Sequence, residues 1–240
     1  MTKTSSNLSQ HELSGPAKYW REWRGFLLFI VIMLVFRSAI ADWNQVPTGS
    51  MIPTILEGDR IVVDKLAYDL RVPFTLVRIA QWGDPQRSDI VTFESPKDGK
   101  LLVKRVIGIP GDVVSMYNNR LTINGQVGSY DVVPASALPE PVAASINNIE
   151  VSQESLLGNS RTVMTWRQRH PQIRNSFGPV TVPAGHYLML GDNRDNSQDF
   201  RVIGFVKREV ILGKAGAIAF SLDYENYYLP RSERFFQELI

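Results

Sequence analysis

The chain has no cysteine among its 240 residues. That absence excludes disulfides, zinc–thiolate centres and cysteine nucleophiles, and leaves the redox compartment open. Histidine is nearly as scarce: His11 lies in a polar tail, His170 in a basic stretch and His186 ahead of an apolar run. There is no Gly-x-Ser-x-Gly elbow, and His11-Glu12 lacks the second histidine of a zinc-protease pair. A histidine-assisted serine remains an alternative only through His170 or His186. Net charge is +2, too close to neutral for a dedicated nucleic-acid binder. Also missing is an unbroken apolar stretch of the roughly 20 residues that a bilayer span needs.

What is present begins with an apolar run over residues 26–36, interrupted by Arg37 and Ser38 and resumed by Ala39-Ile40-Ala41. Lys18, Arg21 and Arg24 precede it, and Trp20, Trp23 and Trp43 flank it like an interfacial aromatic belt. An arginine near a helix end snorkels to the interface. The expectation is a single transmembrane anchor over 18–43, with a disordered cytoplasmic tail over 1–17 and everything after Trp43 outside. Two other readings compete: a cleaved signal peptide ending near Ser38-Ala39-Ile40-Ala41, and a buried core helix.

From Val46 onward the texture is β, with short Val/Ile/Leu runs closed by turn residues. Asn124-Gly125 between two such runs predicts a hairpin. Residues 128–160 are weaker, with several prolines, and residues 232–240 suggest a short amphipathic helix capped by Ser232. The predicted fold class is mainly β: one N-terminal transmembrane helix, then an all-β domain with an inserted smaller β subdomain. The expected core comprises 44–112 and 187–240, and the insert 113–186.

Two segments suggest chemistry. In Thr48-Gly49-Ser50-Met51-Ile52-Pro53-Thr54 a serine sits in a glycine-bounded turn close behind the apolar segment. A serine hydroxyl needs a base. Lys104, in Val103-Lys104-Arg105-Val106-Ile107-Gly108, is a candidate because its neighbours are apolar. A free lysine is only about 0.04% neutral at pH 7, and burial raises that fraction tenfold per pKa unit. The competing reading is an edge-strand lysine that discourages aggregation. Nine residues separate Ala41 from Ser50, at most about 30 Å of extended chain, which keeps the serine near the bilayer. A second polar loop, Gly191-Asp192-Asn193-Arg194-Asp195-Asn196-Ser197-Gln198-Asp199-Phe200-Arg201, can fix its own shape by internal hydrogen bonds. As a calcium loop it fails, with Gln198 where glycine belongs and Gly204 where glutamate belongs. Trp82 and Trp166, with Arg161, Arg167, Arg169 and Arg174, are candidates for lipid headgroups or for a solvated basic face.

Four blocks in order carry a family resemblance: the apolar segment with Pro47-Thr-Gly-Ser-Met-Ile-Pro-Thr54, Gly58-Asp-Arg-Ile-Val-Val-Asp-Lys65, Lys104-Arg-Val-Ile-Gly-Ile-Pro-Gly-Asp112, and Gly191 through Arg201. The chain resembles the bacterial type I signal peptidases, serine–lysine proteases that remove signal peptides from exported proteins. The resemblance implies Ser50 as nucleophile and Lys104 as general base. It implies an oxyanion hole from the Ser50 N–H and the hydroxyl of Thr48, where the family often has serine. Ser197 would orient the lysine amine. Asp192, Arg194, Asp199, Arg201 and Arg105 would form a supporting charge network, and Met51 would pack under the nucleophile. Implied substrates are preproteins with small residues one and three positions before the cut. The implied setting is the bacterial cytoplasmic membrane, with the N-terminus cytoplasmic and the catalytic domain outside, as a monomer in contact with lipid, without nucleic acid, cofactor or metal. The alternatives are a specialised pilin- or conjugation-type peptidase of the same fold and a non-catalytic membrane-anchored scaffold.

Overall fold

A computed structural model describes residues 15–168 and 170–239 of the chain. The tail 1–14 with His11, and also Arg169 and Ile240, lie outside the described residues. The first element is helix Gly15–Ala39. Gly15-Pro16, which reads as a breaker, instead opens it; proline is tolerated in a first turn because its missing N–H is an orphan there. Among the described residues no helix is long and apolar enough to cross a membrane: the run 26–36 is bounded by Arg24 and Arg37. Trp43 falls in strand Ala41–Gln45 rather than in the helix.

Only Ile40 separates helix from strand. Arg37 Nε donates to Asp42 at 2.7 Å, and Lys65 Nζ donates to the carbonyls of Arg37 and Ser38 at 3.0 and 3.2 Å. The Phe74 N–H donates to Ser38 Oγ at 2.7 Å.

The fold beyond is mainly β. The main sheet runs Ala41–Gln45, Asp59–Asp64, Ile211–Asp223, Ile90–Glu94, Leu101–Gly108, His186–Leu190 and Val206–Lys207, every pair antiparallel. Ile90 packs with Val46, Met51, Ile55, Ile61 and Ile218. Its neighbour Val91, with Phe93, packs with Val106, Met189 and Val206. Successive strand residues face opposite ways, so apolar packing covers both faces. A four-stranded sheet contains Phe177–Thr181, Val113–Tyr117, Arg120–Ile123 and Gln126–Val127. The predicted hairpin is here: Asn124 and Gly125 take φ values of 50° and 81°, the left-handed pair that a two-residue turn requires.

A three-stranded sheet, Ser129–Val132, Ile149–Leu156 and Asn159–Trp166, occupies the stretch that reads as weak. The predicted helix over 232–240 does not form: after one turn at Ser232–Arg234 the chain returns to the main sheet, with the Leu239 N–H donating to Gly216 O at 2.9 Å. Backbone partners on the sheet outcompete a short helix whose ends need capping.

Phe93 is fully buried. Phe93→Ala is expected to lower the unfolding free energy by about 3–5 kcal/mol, measured by denaturant titration.

Candidate active site

Ser50 sits in a single 3-10 turn, Gly49–Met51, entered from an extended Thr48 at φ −135°, ψ 146°. Met51 is fully buried and fixes the turn to the core. Thr48 is exposed and makes no capping hydrogen bond, so its hydroxyl is uncommitted to the turn.

Lys104 lies on Leu101–Gly108, flanked on both sides by Ile90–Glu94 and His186–Leu190. It is therefore an interior-strand residue and not an edge-strand lysine. Its side chain is 2% exposed. Nζ donates to Ser50 Oγ at 2.7 Å and to Val103 O at 2.9 Å. Burial pulls the amine down from 10.5 to about 8, while the charges of Asp199 and Asp192 act in the opposite direction. Neither His170 nor His186 hydrogen-bonds Ser50; His186 is occupied with Ala184 O at 2.9 Å.

The loop from Gly191 lies directly against this pair. A Cβ on Gly191 would come within 2.4 Å of Ser50 O and 2.3 Å of Ser197 Oγ. Glycine is required there by contact, not by backbone angle. Ser197 is thus beside the pair, but the expected hydrogen bond to Lys104 is not formed: Ser197 Oγ is buried without a partner, and Nζ is directed to Ser50 and Val103.

The supporting charges separate into buried pairs. Arg105 binds Asp192 through Nε at 2.9 Å and Nη2 at 2.8 Å, with both side chains essentially unexposed. Arg201 binds Asp199 at 2.8 and 2.6 Å, and Asp199 also accepts the Gly191 N–H at 3.1 Å. Arg194 is engaged elsewhere, by Glu154 at 2.8 and 3.0 Å.

Sequence reasoning missed four contributors. Asn193 donates through Nδ2 to Gly49 O at 3.0 Å, and its N–H donates to Ser50 O at 3.2 Å. Thr54 donates to Asp192 at 2.6 Å. Arg234 donates to Thr54 O at 3.0 Å and pairs with the buried Asp59 at 2.6 Å. Glu154 is fully buried, and burial pushes its carboxyl up, but Arg194 and Arg161 more than offset this and hold it at about 2. Arg161, a candidate for lipid headgroups from the sequence, is 4% exposed and faces Glu154 instead. No motif marks Glu154; its only signal is an acid at a core-facing position of a strand.

The family described as Signal peptidase, peptidase S26 matches residues 20–220. A protein named Signal peptidase I from Pseudomonas fluorescens is 37% identical over 207 residues, covering 81% of this chain and 70% of its own length. Its namesake from Pseudomonas aeruginosa is 36% identical over 210 residues, with the same coverage of 81% and 70%. A crystal structure of a signal peptidase I from Enterococcus faecalis V583 shares 34% identity, with a TM-score of 0.34, covering 54% of this chain and 95% of that one.

Asp192→Asn removes the carboxylate charge that Arg105 binds through Nε and Nη2 in the interior. It is expected to destabilise the fold by about 3–5 kcal/mol, read as a lowered midpoint in denaturant.

Proposed function

The chain belongs to the signal peptidase, peptidase S26, family, and on that premise we propose that Ser50 and Lys104 cleave signal peptides from preproteins held at a membrane. Membership makes the protein a serine hydrolase. Support for the pair comes chiefly from one observation: a buried lysine amine 2.7 Å from a buried serine hydroxyl.

In the neutral amine a lone pair replaces one N–H, so across the same contact Oγ–H donates to Nζ. Lys104 takes that proton as Oγ attacks the scissile carbonyl carbon. The oxyanion is held by the Ser50 N–H, an orphan donor in a first helical turn, and by the Thr48 hydroxyl, whose β-branch limits its rotamers. The ammonium then protonates the leaving amine and the C–N bond breaks, leaving an ester on Ser50. Water, deprotonated by Lys104, hydrolyses the ester and restores the serine. The proposed substrates carry small residues one and three positions before the cut. Ser197, Asp192, Arg194, Asp199, Arg201 and Arg105 shape the site without touching substrate. Residues 44–112 with 187–240 form the catalytic core, and 113–186 an inserted subdomain.

The membrane part of the proposal rests on the apolar stretch of helix Gly15–Ala39. Leu28, Phe29 and Ile32 are each more than half exposed, which suits lipid better than water. Arg24 and Arg37 extend the short stretch by reaching to the two interfaces. The setting is a bacterial cytoplasmic membrane, with the helix N-terminus inside.

Ser50→Ala and Lys104→Ala are each expected to lower kcat by about 10³-fold or more against a preprotein in detergent; full turnover in both variants refutes the pair. Because Lys104 must be neutral, the rate should climb with pH and level off above about 8. A flat profile from about pH 6 to 9, on either side of that value, with chemistry limiting, contradicts this.

Thr48→Val removes one oxyanion donor and should cost about 10²–10³ in kcat, whereas Thr48→Ser should retain activity. Equal rates for Thr48→Val and the parent protein exclude the hydroxyl from the site.

A further inference from the structure

We propose that Glu154 is a positioning residue: it holds Arg194, and through Arg194 the loop 191–197, against the Ser50 turn. This rests on the reading of Ser50 as the reacting residue, and it gives the three-stranded sheet a role in catalysis.

Glu154 projects from the middle of Ile149–Leu156 and is fully buried. Its carboxylate accepts from Arg194 at 2.8 and 3.0 Å, from Arg161 Nε at 2.5 Å and from the Tyr130 hydroxyl at 2.6 Å. A strand that only filled space would carry an apolar side chain at this position, since burying charge is costly. A two-pronged guanidinium–carboxylate pair instead fixes direction as well as distance.

The direction matters because Arg194 belongs to the loop. Its Nε donates to Gly191 O at 3.3 Å, and its backbone N–H donates to Met164 O at 2.8 Å on the strand adjoining Glu154. The Met164 N–H donates to Asp192 O at 2.8 Å. One residue away, Asn193 holds Gly49 O and Ser50 O. The loop is thus pinned to the sheet on one side and touches the serine turn on the other. Arg161 continues the chain of contacts to Ser88 Oγ at 3.3 Å, and Ser88 O accepts from Arg105 at 2.9 Å. Losing Glu154 removes the side-chain part of this attachment, leaves the Met164 backbone bonds, and so loosens the loop on the side away from Ser50.

The test compares Glu154→Gln, Glu154→Asp and Tyr130→Phe in the 240-residue protein in detergent, with Gln153→Ala on the same strand as control. The readouts are kcat per folded molecule, KM for a preprotein, and amide hydrogen exchange of residues 191–197. Glu154→Gln is expected to lower kcat by about 10- to 100-fold, with KM within about twofold and faster exchange in the loop. Glu154→Asp, which keeps the charge, recovers part of the rate, and Gln153→Ala changes nothing. Should Glu154→Gln fail to fold, Tyr130→Phe removes only the hydroxyl, which donates to Glu154 and Asn119 O and accepts from the Leu121 N–H, and must move kcat and loop exchange in the same direction. Parent-like kcat and loop exchange in a folded Glu154→Gln or Tyr130→Phe protein overturns the proposal. Ser50→Ala is assayed alongside: turnover retained there refutes Ser50 as nucleophile, while loop exchange still judges Glu154 separately.

Discussion

Removing water from the amine of Lys104 favours its neutral form, but Asp192 and Asp199 pull the other way. Two bare carboxylates beside a buried amine would keep it protonated. Each is instead engaged with an arginine, Asp192 with Arg105 and Asp199 with Arg201, inside the same interior. The arginines therefore do more than hold the loop in shape. They let acids stand near a lysine without forcing a proton onto it. The same pairing explains why so many charges are buried here: each group offsets another's cost of leaving water, and none is tolerable alone.

Position is set by backbone contact as much as by charge. Gly191 and Ser50 meet closely enough to exclude any side chain on the glycine. Asn193 then satisfies Ser50 O and adds a second donor to Gly49 O, which also accepts the Ile52 N–H. The turn is held from a third direction by Arg234, which spans Asp59 and Thr54 O. Two distant stretches of chain, the loop at 191–193 and the C-terminal segment at Arg234, thus converge beside a turn too short to hold its own shape.

What the sequence revealed follows from what is local. The β texture after Val46, the Asn124-Gly125 hairpin and the two polar segments around Ser50 and Gly191 are written in consecutive residues. The contact between Ser50 and Lys104 is not local: apolar neighbours make Lys104 a candidate base, and the family resemblance pairs it with Ser50 over an edge-strand alternative. Glu154 was invisible because its partners, Arg161, Arg194 and Tyr130, meet it only across sheets. The strand that bears it looked polar and irregular for the same reason: Ser152 and Glu154 occupy inward positions where an apolar residue would have signalled a strand. The C-terminal stretch misled differently, since its helical spacing was real but a sheet edge offered better backbone partners.

The junction at Ile40 carries a mechanical consequence. Helix gives way to strand across one residue, and Arg37, Ser38 and Lys65 brace the corner. No slack exists there for the β body to swivel like a ball on a string. Whatever medium grips the helix also sets the height and tilt of the Ser50 turn, much as a bracket does for a blade. A polypeptide to be cut must bring its bond to that fixed level.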